Sequence, residues 1–142
     1  DIGRYVFLGQ HVSVQGLIHG YEDVTQDPNL QPLMLRPVKV GDYTHLGTNS
    51  TILAGVTIGQ RCFIGHGVMF ANDLFREGKP NADRASWGRI EIGDDVSIGS
   101  GATILAVSIC DGVVIGAGSV VTKSITEKGV WAGNPARLLR RL

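Results

Sequence analysis

Fifteen apolar residues recur along this chain at a spacing of six: Ile2, Leu8 and Val14; Val40, Leu46, Ile52, Ile58, Ile64 and Phe70; then Ile92, Ile98, Ile104, Ile109, Ile115 and Val121. A six-residue beat is neither the period of a helix nor the simple alternation of a strand. It marks a solenoid, in which equivalent positions stack coil upon coil. Two gaps interrupt the series, at residues 15–39 and 71–91, and the step from Ile104 to Ile109 is one residue short.

Glycine adds a second rhythm. With the fifteen positions labelled A, B and C in rotation, every B position is followed by Gly (Gly9, Gly47, Gly65, Gly99, Gly116). Four of five A positions are as well (Gly3, Gly41, Gly59, Gly93), with Cys110 the exception. No C position is: Gln15, Leu53, Ala71, Leu105 and Thr122 follow instead. The rule survives both gaps, so each gap is a loop inserted without loss of register. Three hexads close one triangular coil, and the chain has five. Each hexad is expected to supply a short strand and a corner, with ladders such as Val14, Ile52, Phe70, Ile104 and Val121 filling the prism. Strands of successive coils lie about 4.8 Å apart, so five coils span roughly 24 Å. The glycines are expected to relieve corners that need unusual backbone angles.

At 142 residues this is one domain with a continuous core, and 13 Lys plus Arg balance 13 Asp plus Glu. That balance argues against nucleic acid or anionic membrane as general partners. Cys62 and Cys110 sit within repeats and read as reduced thiols, with no disulfide framework. No signal peptide or bilayer-spanning apolar run is present, which favours a cytoplasmic location. The chain begins mid-repeat without a Met, so an upstream segment is expected.

The hexads "IGQRCF IGHGVM" and "IGDDVS IGSGAT" resemble the left-handed parallel β-helix of the hexapeptide acyltransferases. The resemblance covers about residues 1–125 and implies an all-β fold. It also supplies the hand, since the general preference for right-handed crossovers points the other way. Residues 126–142 read as a C-terminal extension in which Asn134 caps and Pro135 opens a short basic helix. "AGNPAR" after "IGAGSVVTKSI" is similar to the ending shared by galactoside, maltose, xenobiotic and nucleotide-sugar acetyltransferases, and implies acetyl-CoA as donor.

Both insertions leave after a C position and emerge at one corner, two coils or about 10 Å apart. The shortened Ile104–Ile109 step lies at the same corner and removes the bulge that Ala54–Gly55 makes in the full-length equivalent. Loops hung on a rigid scaffold are the usual place for function, so the active site is expected along this edge. In the first loop, "HGYEDVT" resembles the loop of sugar O-acetyltransferases, where a His deprotonates the acceptor hydroxyl; His19 matches it, with Glu22 or Asp23 to orient it. In the second, the stretch around "VMFAND" resembles the nucleotide-sugar amine N-acetyltransferases, where an Asn contacts the sugar nitrogen; Asn72 matches it, with Asp73 beside it. The galactoside enzyme carries its catalytic His loop at that second place, and this chain has no His there. An amine with a pKa of about 8 needs little base help. His66 is a further candidate base, at a corner expected just below the second loop, while His11 and His45 read as structural.

The resemblance further places the pantetheine arm of acetyl-CoA between subunits of a homotrimer, beside the small residues Gly101, Ala117 and Gly118. Lys123, Lys128 and Arg137 are candidates for its phosphates. Trp131 either stacks on adenine or covers the prism end, the cover being favoured. The leading expectation is acetyl transfer to an amino group of a nucleotide-linked sugar by direct attack in a ternary complex, with no covalent nucleophile. The alternative is sugar O-acetylation with His19 as base. A metal enzyme of the γ-carbonic-anhydrase kind needs three His on neighbouring coils; His45 and His66 differ in phase and no third completes the set, so no metal is expected. A non-catalytic solenoid for binding or assembly is the remaining alternative.

Overall fold

A computed structural model describes residues 1–18, 25–27, 30–75, 78 and 87–142. Its described residues form three sheets of stacked parallel strands, one on each face of a triangular prism, with an antiparallel strand ending one of them. Face A holds β5 (Lys39–Val40), β8 (Val56–Ile58), β11 (Ile90–Ile92) and β14 (Ser108–Ile109), with single bridges Ile2–Val40 and Ile109–Ile125 extending it at both ends. Face B holds β1 (Phe7–Leu8), β6 (His45–Leu46), β9 (Phe63–Ile64), β12 (Ser97–Ile98) and β15 (Val114–Ile115), followed by β17 (Gly129–Gly133) and β18 (Ala136–Arg141). Face C holds β2 (Ser13–Val14), β7 (Thr51–Ile52), β10 (Met69–Phe70), β13 (Thr103–Ile104) and β16 (Val120–Val121). β3 (Leu17–Ile18) and β4 (Met34–Leu35) pair antiparallel at the root of the first insertion.

Register follows the sequence period, pairing Leu46 with Ile64, Ile64 with Ile98, and Ile98 with Ile115. Successive residues of a strand point to opposite sides of a sheet, so each hexad residue faces inward while its neighbour faces out. Leu46, Ile52, Ile64, Ile98 and Ile104 are fully buried. Each contributes roughly 1.5–3 kcal/mol by leaving water. In the first coil Ile2, Leu8 and Val14 remain exposed, because the described chain stacks on one side of them only. The insertions return two residues sooner than the hexads mark, since Val38 and Ile90 already lie in the core.

The glycines do a different job from the one the sequence implies. Those directly after A and B positions have no positive φ. A Cβ on Gly47 would lie 2.7 Å from the Gly65 carbonyl carbon and the His66 nitrogen, and one on Gly65 would lie 2.6 Å from Ser100 N. Close approach of successive coils therefore excludes a side chain. The left-handed residue stands two places further on, at Tyr5, Tyr43, Arg61 and Asp95 after A and at His11, Asn49, Gly67, Gly101 and Gly118 after B. The non-glycine occupants show that this second position admits side chains.

The C-terminal helix expected at Asn134–Pro135 is absent; the segment is a β-hairpin. β17 stacks parallel on β15, Ile115 against Trp131, and β18 returns antiparallel along it as the last strand of face B. Six residues are too few to hold a helix without tertiary support. The exposed edge of β17 offers them ready backbone partners instead. Ala136 and Leu138 turn inward while Arg137 and Leu139 face out, a two-residue alternation. Residues 126–142 thus extend the prism, with Ile125 and β17 starting a sixth coil.

Candidate active site

The edge between faces C and A carries both insertions, and the structure lines several candidates along it. Asn72 stands just past β10 at the root of the second insertion and is only 8% exposed. Its Nδ2 donates to the Ala54 carbonyl of the coil below at 3.5 Å. That bond uses one of the two Nδ2 hydrogens, and Oδ1 has no hydrogen-bond partner among the described residues. Asp73 Oδ1 accepts the Phe75 N–H at 3.0 Å and closes the turn into the loop. One coil above, Ala106 occupies the trimmed step, where Gly55 (φ 82°) makes the bulge in the second coil. At the top of the edge an open hollow of about 340 Å³ is bounded by Thr122, Lys123, Trp131, Ala136 and Arg137.

That hollow unites two of the three phosphate candidates. Lys123 arrives from the last turn of the edge and Arg137 from β18, so the hairpin that replaced the expected helix is what brings the two cations together. Trp131 forms one wall, packs on the core and donates Nε1–H to the Glu127 carbonyl at 3.4 Å. The third candidate, Lys128, lies over Gly112 at the corner after face A and does not line this hollow.

His66, expected just below the second loop, sits instead at the corner after face B, at the opposite end of β10 from Asn72. Its Nδ1 accepts the Thr48 N–H of the preceding coil at 3.0 Å. Asp42, Asp94 and Asp111 do the same at the corner after face A, each Oδ1 accepting an N–H from the coil below at 2.8–2.9 Å. His66 thus belongs to a corner ladder continued by Ser100, whose Oγ accepts the His66 N–H at 3.2 Å. With Nδ1 occupied, a neutral ring carries its proton on Nε2, which makes it a donor rather than a base.

Gly101, Ala117 and Gly118 share that same corner. A Cβ on Gly67, Gly101 or Gly118 would meet nothing within 4 Å, so the strip is open. The N–H groups of Gly101 and Gly118 are committed to the His66 and Ser100 carbonyls, at 2.8 and 2.9 Å. The Ala117 N–H has no partner among the described residues and remains a free donor. His45 stacks between Phe7 and Phe63, at centroid distances of 4.5 and 4.9 Å, on the outside of face B. Tyr5 and Tyr43 stack beside this run at 5.0 Å. His19, Glu22 and Asp23 lie outside the described residues. Among the described residues no group of three His, Cys, Asp or Glu side chains is placed to hold a metal ion.

Sequence reading missed a second hollow on this edge, also of about 340 Å³, lined by Arg36, Pro37, Lys39, Gly55, Thr57, Arg89 and Glu91. One signal was present: Arg36 and Arg89 stand where the two insertions rejoin the repeat. Elsewhere, charge is paired at corners. Arg61 grips Asp95 with two bonds of 2.7 and 2.8 Å, and this hydrogen bonding holds the carboxyl of Asp95 below its ordinary range. Burial pushes the Cys62 thiol up.

Residues 37–72 match the family model described as bacterial transferase hexapeptide (six repeats), and residues 89–123 match the hexapeptide repeat of succinyl-transferase. Together they take in half of the chain. The chain is similar to serine acetyltransferase 2 of Arabidopsis thaliana, 39% identical over 89 residues, 61% of this chain and 26% of that protein. It is similar to galactoside O-acetyltransferase of Escherichia coli K12, 40% identical over 111 residues, 74% of this chain and 54% of that protein. Among solved structures it matches a hexapeptide-repeat acetyltransferase of Vibrio cholerae complexed with acetyl coenzyme A, with TM-score 0.72 and 25% identity over 99% of this chain and 69% of that one. This chain belongs to the hexapeptide-repeat transferases, and its prism is their left-handed parallel β-helix. It spans about a quarter of the first curated relative and about half of the second.

Proposed function

We propose that the chain transfers an acetyl group from acetyl-CoA to an amino group of a nucleotide-linked sugar. The observation that carries this reading is Asn72. One N–H of its Nδ2 is tied to the Ala54 carbonyl, which holds the carboxamide in place with Oδ1 available to a ligand, and that oxygen can accept from an amine N–H. An amine acceptor with a pKa of about 8 needs little base help, so this reading does not depend on an imidazole. The amine nitrogen attacks the thioester carbonyl carbon, the C–S bond breaks, nitrogen loses a proton and the CoA thiolate takes one up. Rigid corners reduce the entropy lost in bringing the two substrates together.

Lys123, Arg137 and Trp131 would hold the nucleotide end of acetyl-CoA, and the open strip at Gly101, Ala117 and Gly118 would take its pantetheine arm. The free Ala117 N–H suits the oxyanion of the tetrahedral intermediate. Strip and Asn72 lie on different edges of one prism, which supports a homotrimer in which one copy's strip faces the next copy's loop edge. The exposed aromatic run Tyr5, Phe7, Tyr43 and Phe63 supports self-association as well. A cytoplasmic location belongs to the same reading, because the donor is acetyl-CoA.

Transfer to a sugar hydroxyl with His19 as base is the second reading, favoured by the 40% identity to a galactoside O-acetyltransferase. Release of free CoA with nucleotide-linked amino sugars and with hydroxyl sugars separates the two. Turnover with the amines alone, lost in Asn72→Ala and kept in His19→Ala, is the expected result. Turnover with hydroxyl sugars alone, abolished in His19→Ala, would replace the first reading by the second.

A further inference from the structure

The hollow at the feet of the two insertions carries charge that the coenzyme site described above does not use. Arg36, Lys39 and Arg89 face one carboxylate there, Glu91, a local excess of positive charge in a chain of zero net charge. Arg4, Arg61 and Arg141 are each paired with a carboxylate. Arg36, Lys39 and Arg89 form no ion pair with any described residue. Three cations with no ionic partner among the described residues repel one another around one concavity, and an anion between them removes that repulsion.

The backbone builds this space. Lys39 pairs with Thr57 and Thr57 with Glu91 across face A, and Val56 pairs with Ile90. One residue earlier, Gly55 and Arg89 occupy equivalent places, and the missing side chain at Gly55 opens the floor. Gly55 has a φ of 82°, which favours glycine. The Arg36 side chain lies across it: a Cβ on Gly55 would sit 3.7 Å from Arg36 Cδ and 3.9 Å from Nη1. Arg36 is itself fixed, its N–H donating to the Gly16 carbonyl at 2.9 Å and its carbonyl accepting the Gly55 N–H at 3.2 Å. Arg89 precedes Ile90, which is 1% exposed. Both guanidinium groups thus hang from anchored backbone, and the Thr57 hydroxyl adds a neutral donor on the floor.

The hollow also adjoins Asn72. Asn72 holds the carbonyl of Ala54, and the next residue is Gly55. We propose that this hollow binds a phosphoryl group of the acceptor, the diphosphate of a nucleotide-linked sugar, with Arg36 and Arg89 as forked donors and Lys39 as a point charge. Guanidinium groups suit phosphate because two parallel N–H groups match two of its oxygens. The identity of the acceptor rests on the amine-transfer reading above; the anion site rests on the hollow alone. It would tie the sugar by its phosphate while Asn72 meets the nitrogen.

The test has two parts, each with the full chain. Calorimetric binding of inorganic pyrophosphate is compared between wild type and Arg36→Gln/Arg89→Gln, without turnover. Loss of these charge-assisted bonds is expected to weaken binding roughly ten- to a hundredfold. Acetyl-CoA is expected not to displace the pyrophosphate. In kinetics the double variant should raise KM for the nucleotide-linked amino sugar by the same factor, leaving KM for acetyl-CoA and for the phosphate-free amino sugar unchanged. A sugar monophosphate arm distinguishes diphosphate from monophosphate as the recognised group. Equal pyrophosphate binding by both proteins, no binding by wild type, or displacement by acetyl-CoA overturns the proposal. If no amine is acetylated but the double variant still loses pyrophosphate, the amine reading fails and the anion site stands. Lys39→Gln, at an exposed strand position, serves as the second variant if the double change does not fold.

Discussion

Two glycines at the same corner should respond very differently to one added methyl group. In Gly65→Ala the new Cβ would sit 2.6 Å from Ser100 N and 2.8 Å from the Ile98 carbonyl oxygen, both backbone atoms of the next coil. Ordinary contact begins near 3.4 Å, so the coils must part by roughly 0.8 Å where they are held by the 2.8 Å bond from Gly65 N–H to the Ile98 carbonyl. Overpacking of this kind costs about 3 kcal/mol. In Gly101→Ala the Cβ meets nothing within 4 Å, and the only cost is the left-handed backbone at φ 70°. That cost is about 1 kcal/mol. At roughly 3 °C per kcal/mol for a domain of this size, thermal unfolding at one protein concentration should fall by about 9 °C in Gly65→Ala and about 3 °C in Gly101→Ala. Gly101→Asn should fall less than Gly101→Ala, because Asn49 already holds the equivalent position two coils below at φ 60°. Equal losses in the two alanine variants, or a larger loss at Gly101, would refute the claim that coil spacing selects the first glycine.

His66→Asn should keep both stability and turnover, since a carboxamide oxygen can take over the Thr48 N–H, whereas His66→Ala should lose about 1 kcal/mol in denaturant unfolding; a turnover loss of a hundredfold or more in His66→Asn would restore it as a base. An aromatic disulfide reagent at pH 8 should label half-buried Cys110 and spare Cys62 until the chain unfolds, because burial raises the Cys62 pKa; prompt labelling of both would contradict the packing. The Arg61 bonds depress the Asp95 pKa, so the stability they add is present above the ordinary carboxylate pKa and lost as pH falls through the folded value. The gap in unfolding temperature between wild type and Asp95→Asn should therefore close below pH about 4. Lys123→Ala with Arg137→Ala should raise KM for acetyl-CoA about tenfold with kcat little changed; an unchanged KM would move the coenzyme phosphates elsewhere.

The five hexad coils, the loop edge and the stacked ladders were legible because a six-residue period is a direct trace of which side chains meet across coils, whereas the sixth coil begun by Ile125 and β17 lies outside that period. Val14 against Ile52 and Phe70 against Ile104 follow from counting alone. The role of His66 was not legible. Its phase places it at a corner, but which ring nitrogen meets which N–H depends on how the coil below turns. The tail misled for a related reason. Asn134, Pro135 and a basic run fit a capped helix locally, and the unpaired edge of β17 exists only once fifteen hexads have stacked beneath it.

By itself the sequence determined everything that repeats: the period, the inward ladders, the positions of glycine and the edge from which both insertions leave. Only the tertiary structure decided what happens once per molecule. It put Arg137 beside Lys123 through a hairpin, tied Asn72 to Ala54, and gathered Arg36, Lys39 and Arg89 around the gap left by Gly55. The physical reason is the range of the forces involved. A repeat is selected by nearest-neighbour packing between identical positions, so each copy records the same contact. A site is assembled from residues far apart in the chain, and no local pattern records where they will meet.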